Sequence, residues 1–181
     1  VSVLYWVMDR YALGRVLGSG ASADVVEGTT TAGERVAVKR LKRQFERWED
    51  CVQLPEVATL RCATHPNIVK LREVVREGEE LYLIFEYCHG NLLSWLREAQ
   101  RPMRSDEVRL VMYQLLSALQ YIHSIGIVHR DVKPENVLCD DLECVKLADF
   151  SSARHVGGRH TPYVTTRWYR APEVLLQLAY G

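Results

Sequence analysis

Residues 127–138 (IVHRDVKPENVL) carry three polar side chains at fixed spacing. Asp131 supplies a carboxylate, Lys133 a cation two residues later, and Asn136 a carboxamide five residues after the aspartate. Apolar residues on both sides can pin the loop that carries them. Asp149-Phe150 and then Ala171-Pro172-Glu173 follow along the chain. We interpret these motifs as parts of a reactive site, because chance rarely produces all three in one order.

The turn Gly18-Ser19-Gly20 lies between two stretches with strand character, residues 11–17 and 23–30. Glycine turns of this kind are common in plain β-hairpins, which is one interpretation of the segment. A dinucleotide-binding fingerprint or a P-loop would instead run from a strand into a helix, and the sequence has no G-K-[ST]. The other interpretation is therefore a hairpin tip whose backbone lies over phosphates.

Lys39 stands near the end of a short strand pattern, residues 35–41. Alternate side chains of a strand share a face, so Ala37 and Lys39 lie together and a small residue leaves space beside a cation. A flat base with attached phosphates would need such a surface. A lysine at the end of a strand is also often simply solvated, so Lys39 by itself does not identify a site.

The composition of the 181 residues excludes several classes of protein. Lys plus Arg and Asp plus Glu each number 23, and a net charge of zero argues against coating nucleic acid or an anionic membrane by bulk charge. No apolar run approaches the ~18 residues of a membrane span. The five cysteines are odd in number and form no C-x-x-C pair, which is typical of a reducing, intracellular setting rather than a disulfide scaffold.

The elements that must position these residues change in character along the chain. Alternating apolar residues predict strands at residues 11–17, 23–30, 35–41, 69–76 and 81–87. Helical stretches are predicted between residues 47 and 62, at 91–99 and at 105–124. Ser105 is a suitable N-cap for the last of these, and Gly126 follows its end. Its apolar stripe, predicted to face the core, comprises Val108, Val111, Met112, Leu115, Leu116, Leu119 and Ile122.

The predicted organisation is an N-terminal extension (residues 1–8), a β-rich lobe (9–88) and a helical lobe (89–181). The extension is apolar but lacks the basic start and the cleavage site of a signal peptide. It is either an extra edge strand or upstream sequence misread as coding, with Met8 as the true start. The more ordinary pattern that begins at Asp9 favours the second interpretation.

Three further stretches extend the pattern of motifs: residues 39–45 (KRLKRQF), 81–87 (LYLIFEY) and 161–173 (TPYVTTRWYRAPE). With them, the chain resembles a eukaryotic serine/threonine protein kinase. Within that superfamily it is similar to the CMGC group, and there to the kinases related to male germ cell-associated kinase. The resemblance covers residues 9–181 and implies an α+β fold with a β-rich N-lobe and an incomplete α-helical C-lobe.

The resemblance implies ATP-dependent transfer of a phosphate to serine or threonine hydroxyls of proteins. Asp131 would accept the proton of the substrate hydroxyl, and Lys133 would steady the transferred phosphate. Lys39 would hold the α- and β-phosphates and be positioned by Glu56.

The cofactors implied by the resemblance are ATP and Mg²⁺. Asn136 and Asp149 would hold the metal ion, whose positive charge offsets the negative charge that develops on the phosphate oxygens. The residues implied for binding the rest of ATP, besides Lys39, are Leu17, Gly18, Gly20, Val25, Ala37, Phe85, Glu86, Cys88 and Leu138.

Regulation by phosphorylation is implied as well. Arg130 marks kinases that a phosphate on the activation segment controls, and Thr161 with Tyr163 has the T-x-Y pattern of a dual phosphorylation site. Arg167 and Arg170 would pair with the phosphorylated tyrosine, and Arg170 would also favour proline after the phosphoacceptor.

The partners implied by the resemblance are protein substrates with Ser-Pro or Thr-Pro sites and an upstream activating kinase, with no nucleic acid and no membrane insertion. The implied location is the cytoplasm or nucleus, and the family resemblance extends it to the cilium.

Two departures from the family pattern leave an alternative function open. Pro55 directly precedes Glu56, so a helix there either kinks at Pro55 or starts with it, and both outcomes put the Lys39–Glu56 pair in question. The family fold continues beyond the A-P-E motif, so we expect the sequence to be a fragment, a truncated gene model or a natural short form. The alternative is therefore a catalytically impaired or truncated kinase-like module that binds nucleotide or serves as a scaffold.

Overall fold

The computed structural model describes residues 10–157 and 167–175. The chain divides into two units, one formed by Val1–Val57 with Lys70–Tyr87 and the other by Ala58–Val69 with Cys88–Gly181. Antiparallel strands and helices both occur, so the α+β class predicted from the sequence is confirmed. Among the residues that the structure describes, no helix is long and apolar enough to cross a membrane.

A five-stranded antiparallel sheet forms most of the first unit. Its strands are β1 (Tyr11–Ser19), β2 (Ala23–Thr30), β3 (Arg35–Leu41), β4 (Leu71–Glu77) and β5 (Glu80–Glu86), in the spatial order β1-β2-β3-β5-β4. Val36 and Val38 are fully buried and pack with Ile84. Ala37 and Lys39 alternate with these valines and are only partly buried, because successive side chains of a strand point to opposite faces.

Two short helices replace the single helical stretch predicted between residues 47 and 62. They are α1 (Trp48–Val52) and α2 (Pro55–Cys62). Pro55 is the first residue of α2, where its fixed φ suits the helix and its missing N–H would have no partner within the helix anyway. Of the two alternatives left open by the sequence, the helix therefore starts at Pro55. Val57 is fully buried and Leu60 nearly so, which holds α2 in place.

The second unit combines helices with short strands. Its helices are α3 (Leu92–Glu98), α4 (Ser105–Ser124) and α5 (Pro172–Leu175). Its strands are β6 (Gly90–Asn91), β7 (Ile127–Val128), β8 (Val137–Cys139), β9 (Val145–Leu147) and β10 (Arg154–His155). The strands β6, β8 and β9 form one small sheet, and β7 pairs with β10. Ile68 adds a parallel bridge to Leu147 of β9.

The prediction that Ser105 is the N-cap of α4 is wrong, because Ser105 already lies inside the helix. Arg104 is the N-cap, and its backbone N–H donates to Glu107 Oε2 at 2.8 Å. The Arg101 guanidinium and this backbone N–H lower the pKa of Glu107 to about 2. A glutamate in the first turn thus caps the helix in place of the predicted serine.

The predicted apolar stripe of α4 is only partly in the core. Val111 and Ile122 are buried, whereas Val108, Met112 and Leu116 are 42%, 44% and 56% exposed. The buried face instead follows Val111, Gln114, Ala118 and Ile122. The prediction failed because the helix carries more apolar residues than one face can hold, and their spacing alone does not say which face is covered.

Candidate active site

The ion pair between Lys39 and Glu56 forms within the first unit. Lys39 Nζ donates to both carboxylate oxygens of Glu56 at 2.8 Å. The two side chains are 12% and 5% exposed, so water screens the pair little. Pro55 does not prevent the pair, because it begins α2 and leaves Glu56 in the first turn, where the helix dipole favours a carboxylate.

Asp131, Lys133 and Asn136 come together in the second unit, as the spacing indicated. Lys133 Nζ donates to Asp131 Oδ2 at 2.9 Å, and Asn136 Nδ2 donates to the same oxygen at 2.9 Å. Asn136 Nδ2 also donates to the backbone oxygen of Asp131 at 2.8 Å. The Asp131 side chain is 5% exposed. Two donors on one oxygen fix the rotamer of this nearly buried carboxylate.

The apolar anchors of this loop are present on both sides. Ile127 is 4% exposed and Val137 1%. Arg130 adopts a left-handed backbone with φ +68°, which is uncommon for a residue other than glycine. Its Nε donates to Ser152 O at 2.7 Å, so the loop is tied to the segment that follows Asp149.

His129 is a structural part of the site that the sequence did not reveal. Its ring is 1% exposed and contacts Phe150 edge to face, with ring centroids 4.7 Å apart. Nδ1 accepts from the backbone N–H of Asp131 at 3.2 Å, and Nε2 lies 3.0 Å from Ala148 O. These partners require neutral imidazole with its proton on Nε2. The sequence signal that could have indicated a buried histidine is its position directly after the apolar strand residues 127–128.

We expect stability to fall as the pH drops below about 6.5, because burial lowers the pKa of His129. In that range the unfolded chain binds a proton that the folded site excludes. Protonation therefore favours unfolding, with a slope that approaches about 1.4 kcal/mol per pH unit. Thermal melting of the full-length protein between about pH 7.5 and 5.5 measures this slope.

His129→Asn should flatten that slope, and His123→Asn at the exposed end of α4 is the matched control that should leave it unchanged. A slope that persists in His129→Asn would contradict the assignment.

The two residues predicted to hold Mg²⁺ lie on segments that are bonded to each other. Ala148 directly precedes Asp149, and its backbone N–H donates to Asn136 O at 2.8 Å. Asp149 has a left-handed backbone with φ +60°, and its Oδ1 accepts from Ser151 Oγ at 2.8 Å. Because Asn136 Nδ2 is bonded to Asp131, its Oδ1 is the atom suited to a cation. One carboxylate and one amide oxygen fit Mg²⁺, which keeps several waters and takes few protein ligands.

The residues predicted to bind the rest of ATP are divided between the two units. In the first unit, the turn around Gly20 forms the tip of the β1–β2 hairpin, and Gly20 N–H donates to Ala23 O at 2.9 Å. A Cβ added at Gly18 would meet no atom within 4 Å, so the tip is open there. Ala37 pairs with Phe85 across β3 and β5, and Leu17, Val25 and Glu86 are partly buried. Cys88 and Leu138 belong to the second unit, and both are partly buried.

Comparison with known proteins decides the family. Residues 11–181 match the protein kinase domain. The chain belongs to the protein kinase family. It is 47% identical over 173 residues to serine/threonine-protein kinase ICK of Rattus norvegicus, which covers 94% of this chain and 28% of that protein. Serine/threonine-protein kinase MAK of Homo sapiens is 46% identical, with the same coverage. Cyclin-dependent kinase F-3 of Oryza sativa subsp. japonica is 49% identical over 94% of this chain and 40% of that protein.

These relatives confirm the resemblance to CMGC kinases of the male germ cell-associated type. This kinase chain spans less than a third of the length of the ICK and MAK proteins it matches.

The regulatory residues predicted for this kinase are described only in part. Thr161 and Tyr163 lie outside the described residues. Arg167 begins a short 3-10 turn, Arg167–Tyr169, and Arg170 follows it and is partly buried. Burial lowers the pKa of Arg154, and the positive charge of nearby Arg130 lowers it further.

Proposed function

We propose that this chain carries the catalytic residues of an ATP-dependent protein serine/threonine kinase. The observation that carries the proposal is the buried Asp131 carboxylate, held on one oxygen by both Lys133 and Asn136. The formed Lys39–Glu56 pair supports it independently. Sequence identity to proteins named as serine/threonine kinases supports the same reaction class.

In the proposed reaction, the substrate hydroxyl oxygen attacks the γ-phosphorus of ATP. The bond between that phosphorus and the β–γ bridging oxygen breaks, ADP leaves, and the hydroxyl proton passes to Asp131. Lys133 offsets negative charge on the transferred group, and Lys39 binds the α- and β-phosphates. Asn136 and Asp149 would hold Mg²⁺, which when bound supplies positive charge to the phosphate oxygens.

A thermal shift with Mg-ATP, measured beside a phosphotransfer assay on the full-length protein, tests the proposal. We expect both binding and turnover. Binding without turnover would overturn it and support the alternative, a kinase-like module that binds nucleotide or serves as a scaffold.

We further propose that the kinase is proline-directed and that its activation segment is phosphorylated by an upstream kinase. From residue 151 to 172 the sequence has four arginines and no acidic residue. Phosphates on Thr161 and Tyr163, each adding roughly −1.5 to −2 charge, would pair with such arginines. The family resemblance implies that the position of Pro55 is usually basic and helps to bind the phosphothreonine, which proline cannot do. We therefore infer that Tyr163 phosphorylation matters more here than Thr161 phosphorylation.

A peptide array phosphorylated by the full-length kinase should prefer Ser-Pro and Thr-Pro sites, and Tyr163→Phe should lower activity more than Thr161→Ala. Absence of a proline preference would contradict the specificity, and a larger loss for Thr161→Ala would contradict the order of the two sites.

The substrates of the proposed kinase are proteins, and we infer an intracellular location in the cytoplasm or nucleus, extending to the cilium by resemblance. All five cysteines are free thiols, which suits a reducing compartment.

A further inference from the structure

The position of Glu56 depends on the loop between β3 and α2. Lys39 and Glu56 are 17 residues apart in the sequence. α1 lies within that interval and α2 begins at its end, and the two helices have 5 and 8 residues. Helices this short do not persist in water without tertiary contacts. Contacts from outside the loop must therefore hold Glu56 where Lys39 can reach it.

Arg76 of β4 makes such contacts with the middle of the loop. Its Nε donates to Phe45 O at 3.0 Å, and its Nη2 donates to Glu46 O at 2.6 Å. The backbone N–H of Phe45 donates in turn to Glu79 O at 2.9 Å. The Phe45 side chain is 2% exposed, so the loop is fixed by packing as well as by hydrogen bonds.

The β4–β5 hairpin that carries Arg76 is a firm support. β5 pairs with β3 on one side and with β4 on the other, and Leu81, Leu83 and Ile84 are fully buried. Arg76 lies opposite Leu81 in this pairing. A side chain on this strand can therefore hold the loop in a fixed position against the sheet.

Arg76 also lies near α1. Burial raises the pKa of the Cys51 thiol, and the charge of Arg76 acts in the opposite direction. Cys51 is fully buried in α1, and its Sγ bonds to Arg47 O at 3.5 Å. One guanidinium therefore lies beside both the loop carbonyls and the helix that precedes Pro55.

We infer that Arg76 is a positioning residue for the Lys39–Glu56 pair. The planar fork of arginine donates to two successive carbonyl oxygens at once, which the single ammonium of lysine does not reproduce. Loss of one donor frees the loop at Glu46, α2 shifts, and Glu56 leaves Lys39. The inference rests on the proposed function, in which this pair positions the ATP phosphates.

The test measures how fast an N-hydroxysuccinimide ester acylates Lys39 in the full-length protein, by peptide mass spectrometry, relative to the exposed Lys70. An amine bonded to both oxygens of a buried carboxylate is shielded from the reagent. We expect labelling to rise about tenfold in Arg76→Lys, as for loss of one hydrogen bond to a charged group, and to rise similarly in Glu56→Gln.

Arg72→Lys is the matched control, because Arg72 lies on the same strand and pairs with Glu34 at 2.7 Å, away from the loop. It should leave the labelling of Lys39 unchanged. Melting curves check folding, and Arg76→Gln, which keeps one donor group, replaces Arg76→Lys if that variant does not fold. Unchanged labelling in a folded Arg76 variant would overturn the inference.

The double variant of Arg76→Lys with Glu56→Gln separates positioning from general stability. If Arg76 acts through Glu56, Arg76→Lys causes no further labelling of Lys39 and no further loss of kcat/KM when Glu56→Gln is already present. Additive effects would overturn the inference. Because labelling needs no turnover, a parent protein without phosphotransfer would contradict the proposed function and leave this test intact.

Discussion

Replacing Asp131 by Asn should lower kcat by about 10²–10⁴-fold while changing ATP affinity little. The substitution keeps an oxygen that can accept from Lys133 and Asn136, which both bond to Asp131 Oδ2 in the structure. What it removes is the ability to take a proton from the substrate hydroxyl. Lys39 and Asp149 are the groups proposed to act on the nucleotide and its metal, so ATP binding should remain.

Steady-state kinetics and a nucleotide thermal shift on the full-length protein measure the two effects separately. Asp106→Asn is the matched control, since it makes the same chemical change on an exposed side chain at the start of α4. Its kcat should equal that of the parent. An Asp131→Asn protein with near-parental kcat would contradict the assignment of Asp131 as the proton acceptor.

The arrangement of the loop that carries Asp131 could be predicted from the sequence because it is local. Asp131, Lys133 and Asn136 lie within six residues, and their hydrogen bonds close over that short span. Apolar residues on both sides of the loop could be read as anchors for the same reason. No knowledge of distant packing was needed for either prediction.

The outcome at Pro55 could not be predicted because it depends on where a helix starts. Both a kink and a start at Pro55 are compatible with the sequence, and tertiary burial of Val57 and Cys51 favours two separate helices. The pairing of Glu56 with Lys39 follows from that choice. Arg76 lies 30 residues from Glu46 in the sequence, so no local pattern reveals the hydrogen bond by which it supports the loop.

The buried face of α4 escaped prediction because a polar residue lies at its centre. Gln114 is 6% exposed, and its Oε1 accepts from Asn67 Nδ2 and from the backbone N–H of Val145, both at 2.9 Å. Its Nε2 donates to Leu142 O at 2.9 Å. Counting apolar residues passes over such a position, since burial of an amide depends on partners that are distant in the sequence.

These hydrogen bonds position β9, which leads to Asp149. Asn67 Nδ2 also donates to Val145 O at 2.9 Å, so Gln114 and Asn67 together hold both backbone groups of Val145. At the other end of the strand, Leu147 N–H donates to Asn67 O at 2.8 Å. Gln114 thus connects α4 to the strand that precedes the predicted metal ligand.

Gln114→Leu should destabilise the protein by about 2–5 kcal/mol, because it leaves the Val145 N–H and the Leu142 carbonyl buried without this partner. Leucine is close to glutamine in size, so lost hydrogen bonding rather than a cavity accounts for the effect. Denaturant unfolding of the full-length protein measures it, and Gln120→Leu, on the exposed side of the same helix, is the matched control expected to change stability by less than about 0.5 kcal/mol. Equal stability of the two variants would mean that the Gln114 hydrogen bonds do not hold β9, and that apolar packing of α4 alone positions the strand before Asp149.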